Sequence, residues 1–155
     1  NNWSSATNVT LNVTDVNEAD STAPTVTASQ SFNYAENQTA GATIGTVQAT
    51  DNIAVTQFRF ADSASSTSQD GFYQISNTGV ITITAAGIAA GVANNDFETG
   101  ANQFTYGIQA GDAANNWSSA TNVTLNVTDV NEDSTIAVTG GNYNEASPRA
   151  VFTID

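Results

Sequence analysis

The chain has 155 residues and a formal net charge of -13, because 15 acidic residues are set against two basic ones. This charge excludes nucleic acid as a partner and disfavours an anionic membrane surface, and no stretch reaches the roughly 18 apolar residues of a membrane span. Histidine, cysteine and methionine are absent, which removes the usual general base, the thiolate nucleophile and the soft metal ligands, and leaves oxygen ligands that suit hard cations such as calcium.

The chain begins with a segment that occurs again near its other end. Residues 1–18 (NNWSSATNVTLNVTDVNE) are repeated letter for letter at 115–132. Self-similarity at this separation indicates tandem repeats, each about the size of one β-sandwich domain. We therefore expect the last strand of a preceding repeat and its linker at 1–22, a complete repeat at 23–133, and the start of a following repeat at 134–155.

Within the complete repeat, apolar residues follow a period of two, which predicts β-strands with one buried face. The alternation is seen around Arg59, around Thr82, at 104–110 and at 123–127. Turn-forming residues separate these runs, and residues 85–93 are at most weakly helical. The pattern predicts an all-β fold, a Greek-key β-sandwich of about seven strands flanked by partial neighbouring repeats.

Most of the acidic residues lie beside predicted strand ends or in the two segments that would link repeats. Like charges gathered in this way repel one another unless a cation neutralises them, and the chain has no lysine to do so. Calcium accepts about six to eight oxygen ligands of mixed type. The stretch Asp129-Val130-Asn131-Glu132 offers carboxylate, amide and backbone oxygens together. The sequence therefore predicts calcium sites where repeats meet.

A series of short motifs stands in a fixed order along the complete repeat. They are Tyr34-Ala35-Glu36-Asn37, Ala49-Thr50-Asp51, Phe72-Tyr73-Gln74-Ile75 followed by Thr78-Gly79-Val80-Ile81, Asp96-Phe97-Glu98, Gln109-Ala110-Gly111-Asp112 and Asp129-Val130-Asn131-Glu132-Asp133. In this order they resemble the motifs of cadherin repeats, and in particular those of large bacterial calcium-dependent (RTX-type) surface adhesins. Each motif alone is weak, and the ordered set carries the resemblance.

In that family, calcium ions bind between consecutive repeats and stiffen the junction, so the resemblance implies two sets of ligands. The C-terminal junction would use Glu36, Asp96, Glu98, Asp129, Asn131 and Glu132, with Val130 lending its carbonyl. The N-terminal junction would combine Asp15, Asn17 and Glu18 with Asp51 and Asp112. This sequence departs from the family pattern at Asp51-Asn52-Ile53, which lacks the second acid of Asp-x-Asp and predicts fewer or weaker ions at the N-terminal junction.

Two residue groups have other interpretations. Asp96 and Glu98 could form the acid pair of a glycosidase, but no aromatic cluster accompanies them, so metal ligation is favoured over catalysis and over solvated loop acids. We expect no enzymatic activity. Trp117 and its copy Trp3 could stack on a sugar, or could close the end of the sandwich, which is the favoured interpretation.

The resemblance implies an extracellular, cell-surface location and a mechanical role. The repeat would be a calcium-rigidified spacer that projects a binding tip from the cell, with neighbouring repeats of the same chain as its partners. The alternative is a direct adhesive module that binds glycan, protein or a second copy of itself. The segment 115–120 is identical to its copy at 1–6, and such invariance favours the spacer.

Overall fold

The computed structural model describes residues 1–16, 18–91 and 96–132, and the regular structure in these ranges is almost entirely β. The strands are β1 (Thr25–Val26), β2 (Gln30–Ala35), β3 (Thr43–Thr46), β4 (Ala49–Thr50), β5 (Gln57–Phe60), β6 (Tyr73–Ile75), β7 (Val80–Ile83), β8 (Gln103–Gly111) and β9 (Thr121–Thr128), and a short helix, α1, spans Ala85–Ala89. No helix in the described ranges is long and apolar enough to cross a membrane. The expected start of a following repeat at 134–155 lies outside the described residues and stays a prediction.

The strands form a sandwich of two main sheets. One sheet has the order β2-β9-β8-β5, the other has the order β3-β7-β6, and β1 pairs with β4 beside them. The chain moves between the two main sheets four times: between β2 and β3, between β3 and β5 by way of β4, between β5 and β6, and between β7 and β8. These are the crossed connections of a Greek key. If β1 and β2 count as one interrupted strand, and β3 and β4 as another, about seven strands remain. The predicted all-β sandwich is confirmed.

The core lies between the two sheets and consists of the inward-facing residues of the alternating runs. The first sheet contributes the fully buried side chains of Ile108, Val123 and Leu125. The second sheet contributes Tyr73 and Ile81 to the same core. Burying each such side chain contributes roughly 1.5–3 kcal/mol to stability. The period-two pattern thus gives each sheet one apolar face, and the apolar faces of the two sheets pack against each other to form the core.

Residues 1–16 form no strand, although they repeat the sequence that makes β9. Val9 and Leu11 are 80% and 86% exposed, whereas their copies Val123 and Leu125 are fully buried. In the sheet, β9 lies between β2 and β8 and pairs with both. The first copy has no such neighbours in the described chain, so its hydrogen-bonding groups and apolar side chains stay in solvent. A strand depends on its partners as much as on its own sequence.

Candidate metal centres at the two ends of the repeat

The register of the first sheet brings acidic residues from distant parts of the chain to one end. Strands β2 and β9 are parallel, and their last residues, Ala35 and Thr128, are partners. Glu36 and Asp129 therefore leave the sheet side by side. Strand β8 is antiparallel to β9 and starts near this same end, so the loop before it carries Glu98 to the same place.

Glu36, Glu98 and Asp129 form what we term the C-terminal carboxylate group. One carboxylate oxygen from each residue lies within 4.8 Å of the others. Glu36 is only 3% exposed, and its Oε1 and Oε2 accept hydrogen bonds from the backbone N–H groups of Val130 (2.7 Å) and Phe97 (2.8 Å). Because Val130 lies in the linker and Phe97 in the loop before β8, one buried carboxylate holds all three segments together.

The three carboxylates of this group carry like charges and repel one another. Local desolvation, together with the carboxylates of Glu36, Glu132 and Asp129, raises the pKa of Glu98 above its ordinary value. A divalent cation placed among these oxygens would turn the repulsion into attraction and would favour the ionised form of Glu98. The donor set is all oxygen, which suits calcium.

The other residues predicted for this end are not members of the group. Asp96 is half-buried, while Asn131 and Glu132 are exposed, and none of these residues belongs to the group of three. Asn37 has a left-handed backbone conformation, and its side chain donates a 2.8 Å hydrogen bond to Glu132 Oε1. This bond is a further contact between the linker and the sandwich. Val130 contacts the group through its N–H, and the metal role predicted for its carbonyl stays a prediction.

A second group of carboxylates lies at the opposite end of the repeat. Strand β1 is antiparallel to β4, so the linker before β1 and the residue after β4, Asp51, lie at the same end. Strand β8 finishes here too and is followed by Asp112. Asp20, Asp51 and Asp112 each place one carboxylate oxygen within 4.8 Å of the others. We term these residues the N-terminal carboxylate group.

Hydrogen bonds hold Asp112 in its ionised form. Burial, which leaves the residue 2% exposed, opposes ionisation, but hydrogen bonds from the side chain and backbone of Asn116 and from the backbone of Ala114 and of Asp112 itself outweigh it and lower the pKa of Asp112. The two oxygens accept from Asn116 N at 2.8 Å and from Asn116 Nδ2 at 2.7 Å. An ionised carboxylate is therefore favoured at this end of the sandwich.

Asp51 contributes an unsatisfied oxygen to the same group. Its Oδ2 accepts from the backbone N–H groups of Ile53 and Ala54, both at 3.0 Å. Its Oδ1 is buried and has no hydrogen-bond partner in the described chain. Leaving a buried polar atom unpaired is costly, and a cation is the partner that three convergent carboxylates would accept. The N-terminal carboxylate group therefore also fits calcium.

The structure brings together two of the residues predicted as ligands at this end, Asp51 and Asp112, and their role as ligands stays a prediction. Asp15 and Glu18 are exposed and lie outside the group, and Asn17 lies outside the described residues. The third carboxylate belongs to Asp20, which the sequence comparison missed. The signal was a one-residue insertion: Ala19 separates Glu18 from Asp20, whereas Glu132 is followed directly by Asp133.

Trp117 packs beside this end and is half-buried. The guanidinium carbon of Arg59 lies 3.8 Å from the centroid of its ring, and Arg59 Nε donates to Gln109 Oε1 at 2.9 Å. Trp3, the copy of Trp117, is 92% exposed. One face of the Trp117 ring is thus already occupied by a cation–π contact, which leaves less of it for a sugar.

No protein-family model and no curated protein sequence matches the chain, but solved structures match its fold. The extracellular domain of protocadherin gamma B4 has 24% identity and a TM-score of 0.54 over 74% of this chain and 17% of that one. Human protocadherin-24 EC1-2 has 18% identity and a TM-score of 0.51 over 70% of this chain and 44% of that one. The cis-dimer structure of protocadherin gamma B7 EC3-6 has 19% identity and a TM-score of 0.51, over 70% and 24%. The matches thus cover less than half the length of these structures, and they show that the repeat has a cadherin-like fold.

Proposed function

We propose that this chain is an extracellular adhesion repeat that binds calcium at both of its ends. The observation that carries the proposal is the pair of carboxylate groups, one at each end of the sandwich. In each group a linker residue, Asp129 or Asp20, meets two residues of the sandwich body. An ion at such a site would join the linker to the body. The cadherin-like fold supports the same conclusion.

Three carboxylates alone do not complete a calcium site, which takes about six to eight oxygen atoms. At the C-terminal end we propose that Asp96, Asn131, Glu132 and the Val130 carbonyl supply further ligands beside Glu36, Glu98 and Asp129. At the N-terminal end Asp15, Asn17 and Glu18 would add to Asp20, Asp51 and Asp112. The bound ion supplies positive charge that cancels the repulsion within each group, and the protein supplies the fixed strand ends.

The mechanical consequence is a stiffened rod. A linker without strand structure is a flexible hinge, because each residue keeps its backbone freedom. Fixing Asp20 and Asp129 to opposite ends of one sandwich would set the direction in which the chain enters and leaves the repeat. The identical copies at 1–18 and 115–132 favour a spacer built from similar repeats, as in the RTX-type bacterial surface adhesins that the motifs resemble. Such a spacer would project a binding tip from the cell surface.

Direct adhesion is the second candidate, and one surface bears on it. The outer face of β2 and β9 is polar and uncharged: Asn126 Nδ2 donates to Ser31 Oγ (2.9 Å) and Asn33 Oδ1 (2.8 Å). A glycan, a protein or a second copy could approach this face without meeting the carboxylates. However, the identical copies at 1–18 and 115–132 favour a spacer over a face adapted to one ligand. The spacer role is better supported.

Thermal unfolding of the whole chain tests the proposal. Ligand binding to the native state raises Tm by mass action, so calcium should raise Tm relative to excess chelator, and magnesium at equal ionic strength should raise it less. Asp62→Asn, an exposed acid outside both groups, serves as the control and should keep the full calcium response. Equal Tm values in calcium and chelator, together with no heat of calcium binding in calorimetry, would contradict the proposal.

A further inference from the structure

We infer that Asn116 is a positioning residue that fastens the linker to the N-terminal carboxylate group before a cation binds. This inference rests on the proposed function, because it concerns the same group. Asn116 is not itself a predicted ligand. The structure places its side chain between two members of the group that come from distant parts of the chain.

The contacts of Asn116 are specific to its amide. Its Nδ2 donates to Asp112 Oδ2 at 2.7 Å and to the backbone carbonyl of Asp20 at 3.0 Å. Its backbone N–H donates to the other oxygen, Asp112 Oδ1, at 2.8 Å. An amide nitrogen has two hydrogens to donate, and both are used here. One side chain therefore joins the linker to the end of β8.

The loop that carries Asn116 is held in place on both sides. Asp112 N donates to Asn116 O at 3.2 Å, which closes a tight turn, and Asn115 adopts a positive φ of 66° that asparagine tolerates better than most residues. Trp117 follows directly, forms a bridge to Gly111 and packs against Arg59. The Asn116 side chain thus projects from a well-anchored turn rather than from a free loop.

These hydrogen bonds leave room for a cation. Each carboxylate oxygen has two lone pairs, and Asn116 uses one on each oxygen of Asp112. Asp51, in the same group, keeps an oxygen without a hydrogen-bond partner in the described chain, and this oxygen stays available to a metal ion. Because the Asp20 carbonyl is held at the same time, the Asp20 carboxylate stays near Asp51 and Asp112 in the metal-free chain. The linker is then ordered before the ion binds, so the binding free energy is not reduced by the entropic cost of ordering the linker.

The chain contains its own matched control. Asn2 stands in the first copy of the repeated segment, with the same neighbours as Asn116, and is exposed. Asn116→Ala should weaken calcium binding at the N-terminal carboxylate group about tenfold, since hydrogen bonds to charged groups are the stronger ones, while Asn2→Ala should change nothing. Asn116→Asp keeps the size but loses the amide donors, and should loosen the linker as alanine does.

Amide NMR of the whole chain gives the required measurements. Calcium-induced shifts of the Asp112 and Asn116 amides report the N-terminal group, and those of Glu98 and Val130 report the C-terminal group. In chelator, nitrogen relaxation of residues 18–22 should show a linker as ordered as the sandwich in the parent and in Asn2→Ala, and a mobile one in Asn116→Ala and Asn116→Asp. An equally ordered linker in all four proteins would overturn the inference. So would unchanged calcium affinity of Asn116→Ala. If the parent binds no calcium, the proposed function fails, and the metal-free relaxation data still decide the role of Asn116.

Discussion

The buried carboxylate of Glu36 accepts a 2.7 Å hydrogen bond from the backbone N–H of Val130, which lies at the far end of the repeat in sequence. The same carboxylate accepts from Phe97 N at 2.8 Å. Glu36 therefore holds the outgoing linker and the loop before β8 without any metal. Its two neighbours in the group, Glu98 and Asp129, are exposed and available for an ion. Within the proposed site, the structural role thus belongs to Glu36, which would also be a ligand, while Glu98 and Asp129 would serve the ion alone.

This division predicts different outcomes for two similar substitutions. Glu36→Gln replaces one acceptor by a donor and leaves a buried N–H group unpaired, so the free energy of unfolding in chelator should fall by roughly 1–3 kcal/mol. Glu98→Gln should not lower that stability, because the side chain is exposed and its ionisation in the folded state is unfavourable, and it should still weaken calcium binding. Urea unfolding in chelator and calorimetric calcium titration measure the two effects. Equal stability losses in the two variants would refute the division of roles.

The repeated segment predicts a second contrast. Leu125→Ala removes a fully buried side chain from the centre of β9 and should cost roughly 2–5 kcal/mol of stability. Leu11→Ala makes the same change in the same local sequence, at an exposed position, and should cost close to nothing. Denaturant unfolding of both variants measures the difference. A substantial loss in Leu11→Ala would mean that the first copy packs against the repeat in solution.

The fold was largely predictable from the sequence, because its signal is local. Alternating residues such as Ile108, Val123 and Leu125 face the core, as a period of two requires. The same reasoning predicts a strand at residues 7–14, where none forms. The local pattern predicts which face of a strand would be buried. Whether the strand forms depends on its neighbours: the second copy pairs with β2 and β8, and the first copy has no such partners in the described chain.

The candidate sites were less predictable, because they depend on which strand ends meet. Glu36 and Asp129 could be anticipated from their motifs, and the parallel register of β2 and β9 explains why they meet. Asp20 was missed, because its only signal is the inserted Ala19, which changes the linker residue that reaches Asp51. The contact of Asn116 with the Asp20 carbonyl leaves no local signal, because Asn-Asn in a loop indicates a turn and nothing more.

Acidification should release calcium from the two ends in a definite order. The pKa of Glu98 is raised above its ordinary 4.5, and that of Asp112 is lowered below its ordinary 3.8. Protons compete with calcium for ionised ligands, so the C-terminal group should lose affinity first as pH falls from about 7 toward 4.5. Calcium titrations followed by the amide shifts of Val130 and Asp112, at about pH 7 and about pH 5, check the order. Parallel weakening at both ends would contradict it.

In the metal-free chain, the pKa shifts of Glu98 and Asp112 change the stability in opposite directions as pH varies. A raised pKa at Glu98 means that its ionisation in the folded state is unfavourable, so its stability contribution is present below 4.5 and is lost as pH rises through the raised pKa. The lowered pKa at Asp112 gives a contribution that is present above 3.8 and is lost as pH falls through the lowered pKa. Glu98→Gln in chelator should therefore remove the part of the pH dependence that lies above 4.5, while the acid loss due to Asp112 should persist.

Asp51→Asn should separate stability from calcium binding at the N-terminal carboxylate group. Asp51 has a buried Oδ1 without a hydrogen-bond partner in the described chain and belongs to one group with Asp20 and Asp112. An amide there removes one of three like charges and offers a donor to the other two, so Tm in chelator should rise. In calcium the variant should gain less than the parent, because the ion loses a charged ligand. The order of the Tm values should therefore reverse: the variant is expected to melt above the parent in chelator and below it in calcium. If Asp51→Asn melts below the parent in chelator, Asp51 stabilises the turn that it forms with Ile53 and Ala54 more than its charge destabilises the group. If calcium raises the Tm of both proteins equally, Asp51 is not a calcium ligand.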